Sequence, residues 1–374
     1  MSAEFWQLPG PSNYVTKIHH DLADNHNVIA HLTINTPEGL LYELQGAVEQ
    51  SGLAWRRLYE QAATTTPASW LAKQIGEKLG PIATAADFYS LPSIEGATFV
   101  IDDLPNDDVI LEAWNKFLLQ YAQTVRAANN MQSPRFLFLW PTVSSKTIFT
   151  DVRLNLYPWD DCLDSVDIHL YAAMFARKSG RSPFYRKLMT SLASTLSGGD
   201  PILCRDLCTR SLQELIEPLD TLRSYADERG WTDSTLLRVE NGTLTWIDSA
   251  KKEHPALIAI QGRAKEISTL VWSAQLSVLM GLLEERRYEI VERMADRLHI
   301  PDNQDPRYMI HDISDMEIGT VCYQLQNNAS HIPRTVTDQV QRLRWIRNEL
   351  AHRRPLSAEY LLNEDTVRSL TKKN

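Results

Sequence analysis

Over the first 159 residues, short apolar runs alternate with stretches whose apolar positions recur at helical spacing. Asn27 to Ile34 (NVIAHLTI), Leu53 to Tyr59, Thr98 to Ile101, Arg135 to Trp140 (RFLFLW) and Arg153 to Tyr157 read as strands. Between them the pattern predicts helices over Ser12 to Asp24 with Ser12 as cap, Glu38 to Glu49 after the turn Asn35-Thr36-Pro37, Pro67 to Leu79, and Val109 to Ala128. Strands separated by helices of this length predict an α/β region with a mainly parallel sheet covered on both faces.

From about Asp160 to Gly262 the period is helical, over Leu163 to Phe175, Phe184 to Leu196 and Ile202 to Leu215, with Gly198-Gly199 and Pro218 as punctuation. Within it, Leu236 to Val239 and Leu244 to Ile247 flank Glu240-Asn241-Gly242-Thr243, and an Asn-Gly turn between apolar runs predicts a hairpin. The remainder, Arg263 to Asn374, is all helix. A long helix spans Ala264 to Leu298, with Trp272, Leu276, Leu279, Leu283 and Ile290 along its apolar side. A loop at Pro301 to Pro306 follows, then helices at Ser314 to Gln326, Thr335 to His352 and Ser357 to Leu370. The chain is thus expected in three regions: 1–159, 160–262 and 263–374.

With 374 residues and 43% hydrophobic positions, two or three cores can be buried. A net charge of −9 argues against a general polyanion binder, so any nucleic-acid contact must rest on a local basic patch. The start, Met1 to Gly10, has neither basic n-region nor apolar h-region, and no apolar run looks long enough to cross a bilayer, so a cytoplasmic protein without membrane contact is expected. Four scattered cysteines suit reduced thiols; Cys204 and Cys208 share a helix face without a second ligand pair.

The chemistry concentrates in Arg347-Asn348-Glu349-Leu350-Ala351-His352, at the end of a helix bracketed by Pro333 and Pro355. Asn348 and His352 lie one turn apart on one face, which Arg344 continues, while Val340, Leu343, Ile346 and Leu350 form the apolar stripe and Arg347 borders it. An arginine there needs a partner or a wet cleft. Arg342, Arg344, Arg347, Arg353 and Arg354 make a local basic cluster suited to a phosphate backbone. Basic residues before Pro355 are also what a helix C-terminus favours, as solvated capping charges.

This run resembles the R-x4-6-H motif of HEPN domains, helical bundles common in bacterial toxins and phage-defence proteins. The polar residue after the arginine (Asn348), the four-residue separation and the preceding long helices all fit, and the resemblance covers about the last 110 residues. It implies metal-independent RNA cleavage without a cofactor: Arg347 binds phosphate, His352 transfers the proton and Asn348 orients, with Arg342, Arg344, Arg353 and Arg354 contacting nucleic acid. The family's sites form where two motifs meet, which implies a homodimer or a HEPN-containing partner, with RNA as substrate and a further defence-system protein as a possible partner. The alternative is a non-catalytic scaffold, a nucleic-acid- or partner-binding subunit of a multi-protein defence complex.

Thr98 to Asp103 resembles a Walker B strand of P-loop ATPases, which makes Asp102 and Asp103 candidate nucleotide-site residues and the region 160–262 comparable to the lid of AAA-like ATPases. The expected G-x-x-x-x-G-K-[ST] is missing: Asn35-Thr36-Pro37-Glu38-Gly39-Leu40-Leu41 holds one glycine, no lysine and no magnesium-binding hydroxyl at the right place. The resemblance is therefore to a P-loop-like fold lacking Walker A. Asp102 and Asp103 can equally be strand-end residues capping the turn before Pro105. His19-His20 reads as a solvated helix face rather than a metal site, and Pro158-Trp159-Asp160-Asp161 with Asp164 and Asp167 as helix-start carboxylates. Trp140, Trp159, Trp231 and Trp246 read as core or interface.

Overall fold

A computed structural model of the chain describes residues 3–128, 133–140, 148, 150–159, 162–239, 241–301, 310–327 and 332–371. Asp160, Asp161, Glu240 and the loop residues 302–306 singled out above lie outside them. The chain divides into two compact units: Met1–Tyr171 with Gly199–Ile202 and Leu236–His254, and Ala172–Gly198 with Leu203–Thr235 and Pro255–Asn374. Residues 160–262, expected as one helical region, are shared between the two.

The first unit holds α1 (Ala3–Trp6), α2 (Pro9–Ala23), β1 (Asn27–His31), α3 (Leu40–Gln50), β2 (Ala54–Leu58), α4 (Pro67–Gln74), α5 (Ala85–Tyr89), β3 (Ala97–Ile101), α6 (Asp108–Ala128), β4 (Arg135–Trp140) and β5 (Leu154–Pro158). The five strands form one parallel sheet in the order β2-β3-β4-β1-β5. The step from β1 to β2 runs against the steps from β2 to β4, so right-handed crossovers put α3 and α4–α6 on opposite faces. Ile29, Phe99, Ile101, Phe136 and Phe138 pack against Phe88, Trp114, Phe117 and Tyr121 of α5 and α6. The alternate positions Val28, Ala30, Val100 and Leu137 are equally buried, as a sheet covered on both faces requires.

Two boundaries differ from expectation for local reasons. Ser12 lies inside α2, its N–H bonded to Leu8 O at 2.9 Å. The helix begins at Pro9, which needs no donor in the first turn, and the Gly10 N–H is taken by the Asp167 carboxylate at 3.0 Å. Asp167 also exchanges capping bonds with Asp164 at the start of α7 (Ser165–Lys178), so one carboxylate serves two helix starts. The hairpin is displaced: β6 (Leu244–Ile247) pairs with β7 (Ala250–Glu253), not with Leu236–Val239. Asp248 and Ser249 both take positive φ (53° and 61°), the conformation of a type I′ turn. The Asn-Gly turn does form, but the Thr243 hydroxyl donates to Leu236 O, and Leu236 stays exposed. A fully buried pair, His254 Nε2 and Asp200 Oδ2 at 3.4 Å, ties the end of this hairpin to Gly199–Ile202.

The second unit is helical: the end of α7, then α8 (Pro183–Leu196), α9 (Pro201–Leu207), α10 (Leu212–Ile216), α11 (Leu219–Glu228), α12 (Pro255–Ile260), α13 (Ala264–Arg293), α14 (Ile318–Asn327), α15 (Arg334–Ala351), α16 (Ala358–Leu361) and α17 (Glu364–Thr371). Two expected helices are each broken in two. Ser211 and Glu214 form a capping box that starts α10, and the Asn363 side chain accepts the Asp365 N–H at the start of α17. α13 packs against α8, α12, α15 and α17 through Ile267, Val271, Ala274, Leu279, Leu283 and Ile290. Trp272 and Leu276, expected on this apolar side, are only half-buried. By length and composition α13 could cross a membrane, contrary to the sequence expectation. Its buried side carries Gln275 and Arg286, the latter ion-paired to Glu289, and it is a core helix of this bundle.

Candidate functional site

α15 carries the Arg347–His352 run at its C-terminal end. Val340, Leu343, Ile346 and Leu350 are fully buried and form the expected apolar stripe, which fixes the rotation of the helix. Arg347 and Asn348 are half-buried and His352 is exposed. Arg347 Nη2 meets Glu317 Oε2, just before α14, at 3.4 Å; with side chains 37% and 72% exposed, this is a surface pair that costs little to open.

His352 is the C-cap residue, its N–H bonded to Asn348 O at 3.0 Å. The next residue, Arg353, takes a left-handed φ of 57°. Its N–H reaches Leu350 O at 3.1 Å and the Arg354 N–H reaches Glu349 O at 2.9 Å, the bond pair of a Schellman termination. An arginine in this conformation is strained by roughly 1–2 kcal/mol relative to glycine. Its guanidinium lies over the Trp272 ring, 5.7 Å from the centroid.

Two residues of α13 clamp this turn. Trp272 Nε1 donates to Leu350 O at 2.7 Å. Gln275, with no exposed surface, donates to Leu356 O at 2.9 Å and accepts the Leu356 N–H at 2.7 Å. The ends of the exposed turn are thus fixed by buried amide bonds while the side chains of Asn348 and His352 remain accessible. The helical pattern puts Trp272 on the apolar side of α13 and does not mark Gln275. A polar residue inside the buried stripe of a long helix is the signal that points to it.

The basic residues go to several partners. Arg342 turns to α17, donating to Asp365 O and Ser369 Oγ, both at 3.1 Å. Arg354 pairs with Glu349 at 3.4 Å, and Arg344 approaches Cys322 Sγ at 3.9 Å.

In the first unit, Asp102 is held by Arg57 of β2, whose Nε donates to Oδ1 at 3.2 Å, and the Asp103 carbonyl accepts the Ala62 N–H at 3.0 Å. Hydrogen bonding to Asp102 holds the Arg57 guanidinium above its ordinary range. In the loop after β1, Gly39 is the N-cap of α3 with φ 104°, and Leu40 is buried behind it. The Trp6 indole approaches this exposed glycine: it donates to Glu38 O at 3.1 Å, and a Cβ on Gly39 would lie 2.9 Å from Trp6 Nε1. Asn35, also buried, donates to Gly242 O at 3.4 Å. Trp140, Trp159 and Trp231 are buried, and Trp246 lies under Lys251. Among the described residues, no group of three or more His, Cys, Asp or Glu side chains is placed to hold a metal ion.

No protein-family model and no curated protein sequence matches this chain.

Proposed function

We propose that the chain is a metal-independent RNA endonuclease of HEPN type, the effector of a bacterial toxin or antiphage defence system. The observation that carries this reading is the placement of Arg347, Asn348 and His352 on an exposed helix end held rigid from below by Trp272 and Gln275. In the reaction, the ribose 2′-hydroxyl loses a proton to one imidazole while attacking the adjacent phosphorus. The 5′-oxygen of the next nucleotide leaves with a proton, and a 2′,3′-cyclic phosphate remains. Arg347 exchanges Glu317 for the phosphate and offsets the growing negative charge. Five residues along a helix turn the Arg347 and His352 side chains about 140° apart. A composite site from two copies of the chain, or from a HEPN partner, brings such groups together.

On this reading the α/β unit is P-loop-like and serves as a docking or sensing module rather than a nucleotide engine. The strand that ends just before Asp102 (β3) and the strand that precedes Asn35 (β1) are separated by β4, and Leu40 stands where a phosphate-binding lysine would. The Trp6 indole beside Gly39 favours the second reading, a scaffold subunit, only if the helical unit is also inactive.

The deciding experiment is cleavage of total RNA in EDTA by wild type, Arg347→Ala and His352→Ala. Cleavage by wild type alone is expected, with all three proteins equally stable because His352 is exposed and Arg347 makes only a surface pair. Cleavage surviving His352→Ala would overturn the assignment.

A further inference from the structure

We propose that a cavity at the opposite end of the motif helix binds a phosphate monoester of nucleotide size. It lies within the second unit, between the start of α15, the end of α13 and α17, and has a volume of about 400 Å³. That is within the usual range of small-molecule sites, roughly 300–1,000 Å³, and more than a bare ion needs.

Three guanidiniums line it, one from each helix: Arg293, Arg342 and Arg368. Asp365 approaches both Arg342 (3.7 Å) and Arg368 (3.8 Å), and Arg342 is further fixed by Ser369. One carboxylate therefore holds two cations side by side without cancelling them. Arg293 makes no ion pair among the described residues and is exposed. The other lining carboxylate, Asp338, is approached by Arg334 at 3.8 Å. The balance around the cavity is positive in a chain of net charge −9.

The helix itself adds to this. α15 has 18 residues and starts at Pro333 with no side-chain cap, and Thr335 of its first turn lines the cavity. The Val336 N–H is taken by Pro333 O at 2.9 Å, which leaves the Arg334 and Thr335 N–H groups and the helix dipole to favour an anion at that place. Val336 is the one aliphatic side chain in the lining, and the polar ends of the other lining side chains are available to a phosphate group. Several converging guanidinium forks select phosphate over a single carboxylate. The same chemistry is presented by a free mononucleotide and by the 5′-phosphate end of an RNA strand. The inference stands apart from the nuclease reading, because none of these groups belongs to the Arg347–His352 run.

Isothermal titration of the full chain with AMP, adenosine and inorganic phosphate tests it. AMP is expected to bind at one site per chain and adenosine not at all. Arg293→Glu and Arg368→Glu, both at exposed positions, are expected to weaken AMP at least tenfold, with Arg347→Ala unchanged. The double variant Arg293→Gln/Arg368→Gln serves if a charge reversal disturbs folding. Adenosine binding as well as AMP, no AMP binding, or AMP binding indifferent to both arginines would each overturn the site. Competition then assigns the source: displacement of AMP by 5′-phosphorylated but not 5′-hydroxyl oligoribonucleotide supports an RNA end, and displacement by neither supports a free nucleotide.

Discussion

The Trp272 indole N–H is bonded to the carbonyl oxygen of Leu350 at 2.7 Å, and through that one bond the longest helix holds the last turn of the motif helix. The bond is made to a carbonyl that also closes the Schellman turn, so helix termination and helix packing meet on the same atom. Trp272→Phe keeps the ring and removes the donor. It is expected to lower stability by about 1 kcal/mol in urea unfolding. Gln275→Leu removes both amide bonds to Leu356 and strands two buried backbone groups, with an expected loss of about 2–4 kcal/mol. Equal stability of wild type and Gln275→Leu would contradict the clamp.

Arg353 offers a test of the left-handed turn that is independent of charge. Arg353→Gly and Arg353→Ala both lose the contact with Trp272, but only glycine relieves the backbone at φ 57°. The glycine variant is expected to be more stable than the alanine variant by about 1 kcal/mol, read as a higher melting temperature.

Asp167 supplies a pH signature. Burial pushes its carboxyl above the ordinary Asp range, against the bonds from Gly10 and Asp164. A carboxyl with a raised folded pKa binds its proton more tightly folded than unfolded, so its contribution to stability grows as pH falls from neutral through that raised value, and levels off below the unfolded one. The capping carboxylates Asp87 and Glu214, held below their ordinary values by Thr84 and Ser211, act in the opposite sense and lose their contribution as pH falls. The difference in melting temperature between wild type and Asp167→Asn, followed from pH 7 to 4, is expected to move in favour of wild type as the pH drops. A flat difference would place the Asp167 carboxyl at its ordinary value.

Gly10→Ala tests the same junction sterically. A Cβ there would lie 2.2 Å from the Cys162 carbonyl oxygen and 2.3 Å from the Asp167 carboxylate. Backbone has to move, and a loss of roughly 1–3 kcal/mol or more is expected by denaturant unfolding.

The missing phosphate-binding lysine, with Leu40 after Gly39, and the Trp6 indole beside that glycine predict that Mg-ATP leaves the melting temperature unchanged. A rise of several degrees at millimolar nucleotide, as mass action on a native-state site would give, contradicts it.

Much of the architecture is written locally. Period-two and period-3.6 patterns place β1 to β5 and most helices within a few residues, because burial on a face is a property of the segment itself. The apolar stripe Val340-Leu343-Ile346-Leu350 is legible for the same reason, and with it the orientation of the Arg347–His352 run. The hairpin shows where local signals end. Both Asn241-Gly242 and Asp248-Ser249 form turns, and only the pairing of Leu244–Ile247 with Ala250–Glu253 settles which one joins two strands.

The sequence by itself determined the five strands of the sheet and their parallel character, most of the longer helices and the residues of the candidate motif. Tertiary structure decided the strand order, the clamp of Trp272 and Gln275 on the motif turn, the close approach of Trp6 to Gly39, and the meeting of Arg293, Arg342 and Arg368 around one cavity. These join distant residues: Asn27 pairs with Leu154 in the sheet, and Gln275 bonds to Leu356, 81 positions on. A segment's own pattern fixes which face it buries; which distant group fills that face depends on crossovers and packing that no single segment contains.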